Sequence, residues 1–195
     1  MDQQHWKTLC DTAWELGKDL ELSECGYGQS HTVYGHVLGP LKHYYFLGGF
    51  CKAIGARNIL EIGTHFGGSI CSMNKAVQTD NIVTIDIQEH NELPKNIKRI
   101  RGGGEFPSTY VGLRKLFDGK LDLVFVDGVH SLRDTKKYLE HCLKLRPRFM
   151  IFDDINLNEE MRKFWKHVSV RYDAYDCSEE SRREDNCGLG VIHLR

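Results

Sequence analysis

The stretch that most constrains this chain is Asn58 to Ser69, NILEIGTHFGGS. Ile59, Leu60 and Ile62 make a short apolar run, as a strand needs when both its faces are buried in a parallel sheet. Gly63 and Gly67 then punctuate a turn, and Ser69 to Gln78 predicts the helix that follows. A strand, a glycine turn and a helix make a ligand cradle, because helix-terminal N–H groups point outward and no side chain blocks the backbone. A plain βα turn also uses glycine wherever φ must be positive, so this stretch alone leaves both readings open. The spacing narrows the ligand. A dinucleotide fold asks for G-x-G-x-x-G, and His65 at the middle position disfavours close approach of a pyrophosphate.

At 195 residues the chain has the length of one domain with a real core. Its apolar and charged contents, 41% and 27%, are those of an ordinary globular protein. No apolar run reaches the ~18–20 residues of a membrane helix, and Met1-Asp2-Gln3-Gln4 does not begin a signal peptide. The expectation is a cytoplasmic protein that does not engage a membrane. A net charge of −1 without a long lysine/arginine run removes the footprint of a nucleic-acid binder. Ser181 to Arg183 is interrupted by acids and reads as a solvated loop. Seven cysteines, none in C-x-x-C spacing, argue for reduced thiols and against a zinc site.

Gln3 to Leu20 carries apolar residues near a 3.6-residue period and predicts an amphipathic helix. Ser23 to Pro40 reads as loop, with His31 and His36 as candidates to face a substrate. Leu41 to Ile54 predicts a second helix, ended by Gly55. The division is therefore a helical cap and loop over 1–40 and a main domain over 41–195. Trp6, Trp14, Tyr44 and Tyr45 give these two helices more apolar surface than a small sheet needs. The expected consequence is a homodimer or higher homo-oligomer.

Ile82 to Ile87 predicts a second strand that brings Asp86 to its tip, 25 residues beyond Glu61. An acid there hydrogen-bonds the hydroxyls of an adenosine ribose. Ile97 to Arg101 predicts a third strand, and Gly102, Gly103 and Gly104 after it an open, flexible backbone. Tyr110 to Phe117 reads as a short helix, Leu121 to Val126 as the fourth strand, and Phe149 to Phe152 as the fifth. Ser131 to Asp134 is a capping box, so a helix starts just after His130. Asn158 caps another helix. Strand tips of an open parallel sheet share one edge, which brings Asp127 together with Asp153 and Asp154, 26 and 27 residues later. Three such carboxylates repel unless a cation joins them, and oxygen ligands suit Mg²⁺, with Mn²⁺ or Ca²⁺ as alternatives. Val168 to Asp176 and Gly188 to Leu194 read as two further strands.

The E-x-G-x-x-x-G-x-S pattern at Glu61 to Ser69, with D-x-x-H at Asp127 to His130 and D-D at Asp153-Asp154, resembles the class I S-adenosylmethionine-dependent methyltransferases. The resemblance is closest to the metal-dependent small-molecule O-methyltransferases, and it covers roughly Leu38 to Leu157. It implies a Rossmann-like α/β fold: about seven strands, mostly parallel, with helices on both faces and an N-terminal helical cap. It implies S-adenosylmethionine held by Glu61, Gly63, Thr64, His65, Gly67, Ser69 and Asp86, with adenine near Gly102 to Gly104. A side chain at Gly63 is then expected to block the cofactor without unfolding the sheet. The resemblance also implies Mg²⁺ on Asp127, Asp153 and Asp154, and His130 as the base. Catechol-type members carry lysine at the His130 position, so this chain is similar rather to the macrolide- and sugar-modifying branch. The P-G-G of the family is Pro147-Arg148-Phe149 here. The implied activity is methylation of a hydroxyl on a sugar, polyketide or phenolic natural product. The alternative is a non-catalytic partner subunit that binds S-adenosylmethionine or a nucleotide.

Overall fold

The computed structural model describes residues 1–23, 32–33, 36–37, 41–89, 92–183 and 185–194. Helix α1 (Gln3–Gly17) leads by way of two short paired strands, β1 (Thr32–Val33) and β2 (His36–Val37), to α2 (Lys42–Ala53). The rest of the 24–40 segment, with His31 and the side chain of His36, lies outside the described residues. Then follow β3 (Asn58–Ile62), α3 (Gly68–Val77), β4 (Asn81–Asp86), β5 (Ile97–Arg101), a 3-10 turn (Pro107–Tyr110) and α4 (Leu113–Phe117). The chain continues through β6 (Leu123–Val126), α5 (Leu132–Leu143), β7 (Phe149–Asp153), α6 (Glu159–Ser169), β8 (Asp173–Asp176) and β9 (Leu189–His193).

Among the described residues seven strands form one sheet in the order β5-β4-β3-β6-β7-β9-β8. The first five run parallel, and β9 is antiparallel to both of its neighbours. This is the Rossmann-like α/β architecture, with seven mostly parallel strands, that the resemblance implies. Alternate residues of each inner strand enter opposite cores, as the two-residue period of a strand requires. Ile59, Phe125 and Ile151 join the cluster under α1, α2 and α3. Leu60, Val124 and Met150 join the cluster under α4, α5 and α6. Because β6 is covered on both faces, it reads as a continuous apolar run in the sequence, and in β3 the run is broken only by the buried Glu61 within it.

Two sequence expectations change. The stretch from Val168 begins in a helix: Met161, Phe164 and Val168 are buried at helical spacing, so α6 continues to Ser169 and the strand begins only at Asp173. The predicted helix Tyr110 to Phe117 is split, with the 3-10 turn ending at Tyr110 and α4 starting after Gly112, whose φ is +89°. A left-handed residue there breaks the helical path and suits glycine.

Candidate functional site

The glycine turn sits where β3, β4 and β6 end together. The N–H of Gly63 donates to the Ile85 carbonyl, and that of Asp127 donates to the Ile62 carbonyl, each at 2.8 Å. These bonds carry the sheet pairing one residue past the strands and hold the tips in register. Gly63 has φ +92°, and a Cβ on it would lie 1.8 Å from the carbonyl oxygen of Asp127. Gly63 is thus required by the backbone of its neighbour. The expectation that Gly63→Val blocks a ligand while sparing the sheet is corrected: the valine would force β3 and β6 apart at their tips.

A cleft of about 450 Å³ runs along this edge, lined among others by Gly63, His65, Asp86, Gly103, Asp127 and His130. Its size suits a nucleoside-like ligand. At one end the Asp86 carboxylate accepts from the backbone N–H groups of Thr64 at 2.7 Å, His65 at 2.8 Å and Gln88 at 2.9 Å. Three such bonds lock the glycine turn to the β4 tip. The triple glycine is not loose. Gly102 N–H donates to the Asp86 carbonyl, Thr109 Oγ1 to the Gly103 carbonyl and Tyr110 Oη to the Gly104 carbonyl, at 2.7–2.8 Å. A Cβ at Gly104 would meet Ile62 at 2.6 Å, which is why this wall passes so close to β3.

Glu61, Thr64 and Ser69 stand behind the cleft. Glu61 is fully buried on β3 and accepts from the hydroxyls of Ser69 and Thr84, while Thr64 and Thr84 share a further hydroxyl contact. Burial raises the Glu61 pKa to about 8, so the carboxyl is neutral near pH 7. The chain of hydroxyls runs from Glu61 through Thr84 to Thr64, whose N–H holds Asp86. These residues shape the cradle from beneath. Gly67, at φ +83°, opens α3 from the same turn.

At the other end of the cleft β6 delivers Asp127, and His130 follows just before α5. Ser131 caps α5 by accepting from the Asp134 N–H, and Asn158, which caps α6, donates from Nδ2 to the His130 carbonyl at 3.1 Å. Two helix caps therefore fix the His130 backbone. Its Nε2 lies 3.5 Å from Asp127 Oδ1 and 3.2 Å from Asp154 Oδ2, and among the described residues this buried atom satisfies no hydrogen bond. Burial pulls the His130 pKa down, but its approach to Asp127 and the charges of Asp127 and Asp154 outweigh burial and raise it.

Asp153, the last residue of β7, and Asp154 beside it turn toward a residue the sequence did not single out. Arg183 bonds Asp153 through Nη1 and Asp154 through Nη2, and meets both oxygens of Asp185, at 2.6 Å through Nε and 3.0 Å through Nη2. Its side chain is only 7% exposed, so the reading of Ser181 to Arg183 as a solvated loop is corrected. Ser181 and Glu180 are buried as well. The polar composition concealed this: alternating charges look solvated until the fold brings Asp153 and Asp154, some thirty residues earlier, onto Arg183. Behind Arg183, His43 of α2 is buried, and burial pushes its pKa down to about 3.

Four carboxylates (Asp127, Asp153, Asp154 and Asp185) thus face one guanidinium and one imidazole. Burial and the neighbouring acids push the Asp154 pKa up to about 6, with His130 opposing them. Among the described residues the ligand atoms that lie within 4.8 Å of one another belong to Asp154, Asp185 and Cys187, and Asp127 and Asp153 do not join that group; carboxylate oxygens of this kind are hard donors of the sort a divalent cation takes. One oxygen each of Asp153 and Asp154 is meanwhile held by Arg183.

Comparison with known proteins bears on the fold. Residues 60–155 match the family model described as a methyltransferase domain, which begins at β3 and ends just past Asp154. Cofactor-bound Rv0187 from MTB is 18% identical over 96% of this chain and 90% of its own, with a TM-score of 0.59. The O-methyltransferase TomG from Streptomyces achromogenes, involved in tomaymycin synthesis and solved with SAM, is 18% identical over 100% of this chain and 99% of its own, also at 0.59. The MycE methyltransferase of mycinamycin biosynthesis, solved with Mg, SAH and mycinamycin VI, is 15% identical over 91% of this chain and 54% of its own, at 0.58. An uncharacterised protein of Sinorhizobium fredii, y4gI, is 26% identical over 169 residues, and the match spans only 18% of its length.

Proposed function

We propose that this chain, which has the fold of the class I O-methyltransferases and matches a methyltransferase-domain model over residues 60–155, moves the methyl group of S-adenosylmethionine onto a hydroxyl of a small molecule, aided by Mg²⁺. The observation that carries this reading is the buried, unsatisfied Nε2 of His130, set between Asp127 and Asp154 on the cleft that begins at Asp86. The two carboxylates facing this nitrogen raise the basicity of the imidazole and orient it to take a proton from an acceptor hydroxyl.

S-adenosylmethionine supplies an electrophilic methyl group, and a cation on Asp127, Asp153 and Asp154 would supply Lewis acidity toward an acceptor oxygen. The chain's own residues do the remaining work. Asp86 receives the ribose end, and the buttressed Gly102 to Gly104 wall closes one side of the cleft. The caps at Ser131 and Asn158 hold His130 still while it takes the proton. Fixing both reactants at one sheet edge converts a two-body encounter into a positioned one.

Methyl transfer from radiolabelled S-adenosylmethionine to a panel of phenols, sugars and macrolides, run with Mg²⁺ and with chelator, tests the reading. Label should appear on oxygen with Mg²⁺ and disappear with chelator. His130→Ala should keep cofactor affinity by calorimetry and lose roughly 10²–10⁴-fold in rate. Full transfer in chelator, or an unchanged His130→Ala rate, overturns the metal or the base respectively.

A further inference from the structure

Helix α5 turns one aromatic side chain onto the cleft. Thr135, Tyr138 and Cys142 are buried at i, i+3 and i+7, which puts all three on the inward face of that helix. Tyr138 is only 2% exposed and lines the cleft between two of its glycines. A Cβ on Gly104 would lie 3.0 Å from Cε1 and 3.1 Å from Cδ1 of the ring. One on Gly128 would lie 2.9 Å from Cε2 and 3.2 Å from Cζ. Opposite edges of one ring therefore fill the space that side chains at these two positions would need. Gly104 belongs to the wall after β5, and Gly128 follows Asp127 in the turn that leads to His130. At the tip of the ring, the Tyr138 hydroxyl accepts from the Val129 N–H at 3.3 Å. The Val129 carbonyl accepts from the Ser131 N–H at 3.0 Å and from Thr135 Oγ1 at 3.4 Å. The Val129 side chain is 56% exposed and gives this turn little packing, so the turn depends on these backbone bonds.

We propose that Tyr138 is a positioning residue of this site: its hydroxyl holds Val129, and its ring keys the turn carrying Asp127 and His130 to the Gly104 wall. This rests on the methyl-transfer reading above and names the residue that sets one reactant against the other. Asp127 leads into the turn and His130 leaves it, so a shift at Val129 moves the carboxylate and the imidazole together. Asn158 grips the same turn at the His130 carbonyl, so α5 and the cap of α6 hold it from two sides. The phenol itself takes no proton. Burial raises its pKa, so it stays protonated and its part is geometric.

Amide hydrogen exchange read by NMR, calorimetry with S-adenosylhomocysteine and methyl-transfer kinetics, all on the full chain, test the proposal. Tyr138→Phe keeps both ring edges and removes only the hydroxyl. It should speed exchange of the Val129 amide roughly tenfold or more while the β6 amides stay protected, since one local bond is lost. It should leave S-adenosylhomocysteine affinity within about twofold and lower kcat roughly 10–100-fold at unchanged KM for S-adenosylmethionine, because a misplaced His130 costs rate and not cofactor binding. Tyr138→Ala removes the ring as well and should weaken S-adenosylhomocysteine roughly tenfold, as the Gly104 wall loses its support. The phenylalanine variant decides the matter if the alanine variant does not fold. A tyrosine that only stabilised the fold would loosen all amides together and spare kcat. Unchanged Val129 exchange in Tyr138→Phe, or a kcat equal to that of the wild type, overturns the proposal. Absence of S-adenosylhomocysteine binding in the wild type, with Val129 exchange still faster in Tyr138→Phe, overturns the methyl-transfer reading and leaves the hold of Tyr138 on the turn standing.

Discussion

At pH 7 the carboxyl of Glu61 keeps its proton, because β3 places it beyond the reach of water with the Ser69 and Thr84 hydroxyls as partners. Its folded pKa, about 8, lies above the ordinary glutamate value of 4.5, so the folded chain holds this proton more tightly than the unfolded chain. Linkage then gives the sign. The contribution of Glu61 to stability is full below the unfolded pKa and is lost as pH rises through the folded one. Glu61→Gln should therefore flatten the fall of unfolding free energy between about pH 5 and pH 8, read as the difference from wild type in urea titrations. Parallel pH curves for the two proteins would show that Glu61 is ionised in the fold. The sequence marked Glu61 as a ligand residue by its place before Gly63. Only burial reveals that it works one layer down, through Thr84 and Thr64 on Asp86. Arg183 is the converse case, a residue assigned to solvent that the fold closes over.

At the scale of elements, α1 and α2 show how small residues decide helix contact. A Cβ on Gly49 would lie 1.8 Å from the Ala13 carbonyl oxygen, and one on Gly17 would lie 1.9 Å from that of Tyr45. The two backbones touch, and part of the apolar face that seemed surplus in the sequence packs within the chain, while Trp14 and Tyr45 stay partly exposed. Trp6 is fully buried, stacks on Tyr175 and donates its indole N–H to Asp173 at 2.8 Å. Tyr44 is buried too, so the surface first read as an oligomer contact is in large part internal packing. Gly49→Val should push α1 off α2 and lower stability by at least about 1–3 kcal/mol, the usual range for overpacking. A urea midpoint within error of wild type would contradict the close packing. Helical periodicity made both helices legible. It did not show which chain their apolar faces meet, because a hydrophobic stripe is the same whether its partner is internal or another molecule.

For the whole molecule, the strand order sets the function's geography. β3 and β6 are sequence-distant and spatially adjacent, which joins the glycine turn to Asp127 and makes one cleft of two motifs. S-adenosylmethionine at about a hundred times its dissociation constant should add about 2.7 kcal/mol to stability. For a chain of this size that is a rise in Tm of roughly 5–11 °C. Asp86→Ala should shrink that rise, and an unshifted Tm in the wild type would remove the cofactor assignment. No helix of the described residues is long and apolar enough to cross a membrane. The sequence by itself determined the parallel core, the glycine turn and the strand-tip acids, because these follow from local period, from turn chemistry and from the rule that parallel tips share an edge. Tertiary structure alone decided which charges are answered. The partners of Asp153 and Asp154 come from the β8–β9 loop some thirty residues on, and the state of Glu61 depends on how much water three neighbouring elements exclude, so neither is written in any local pattern.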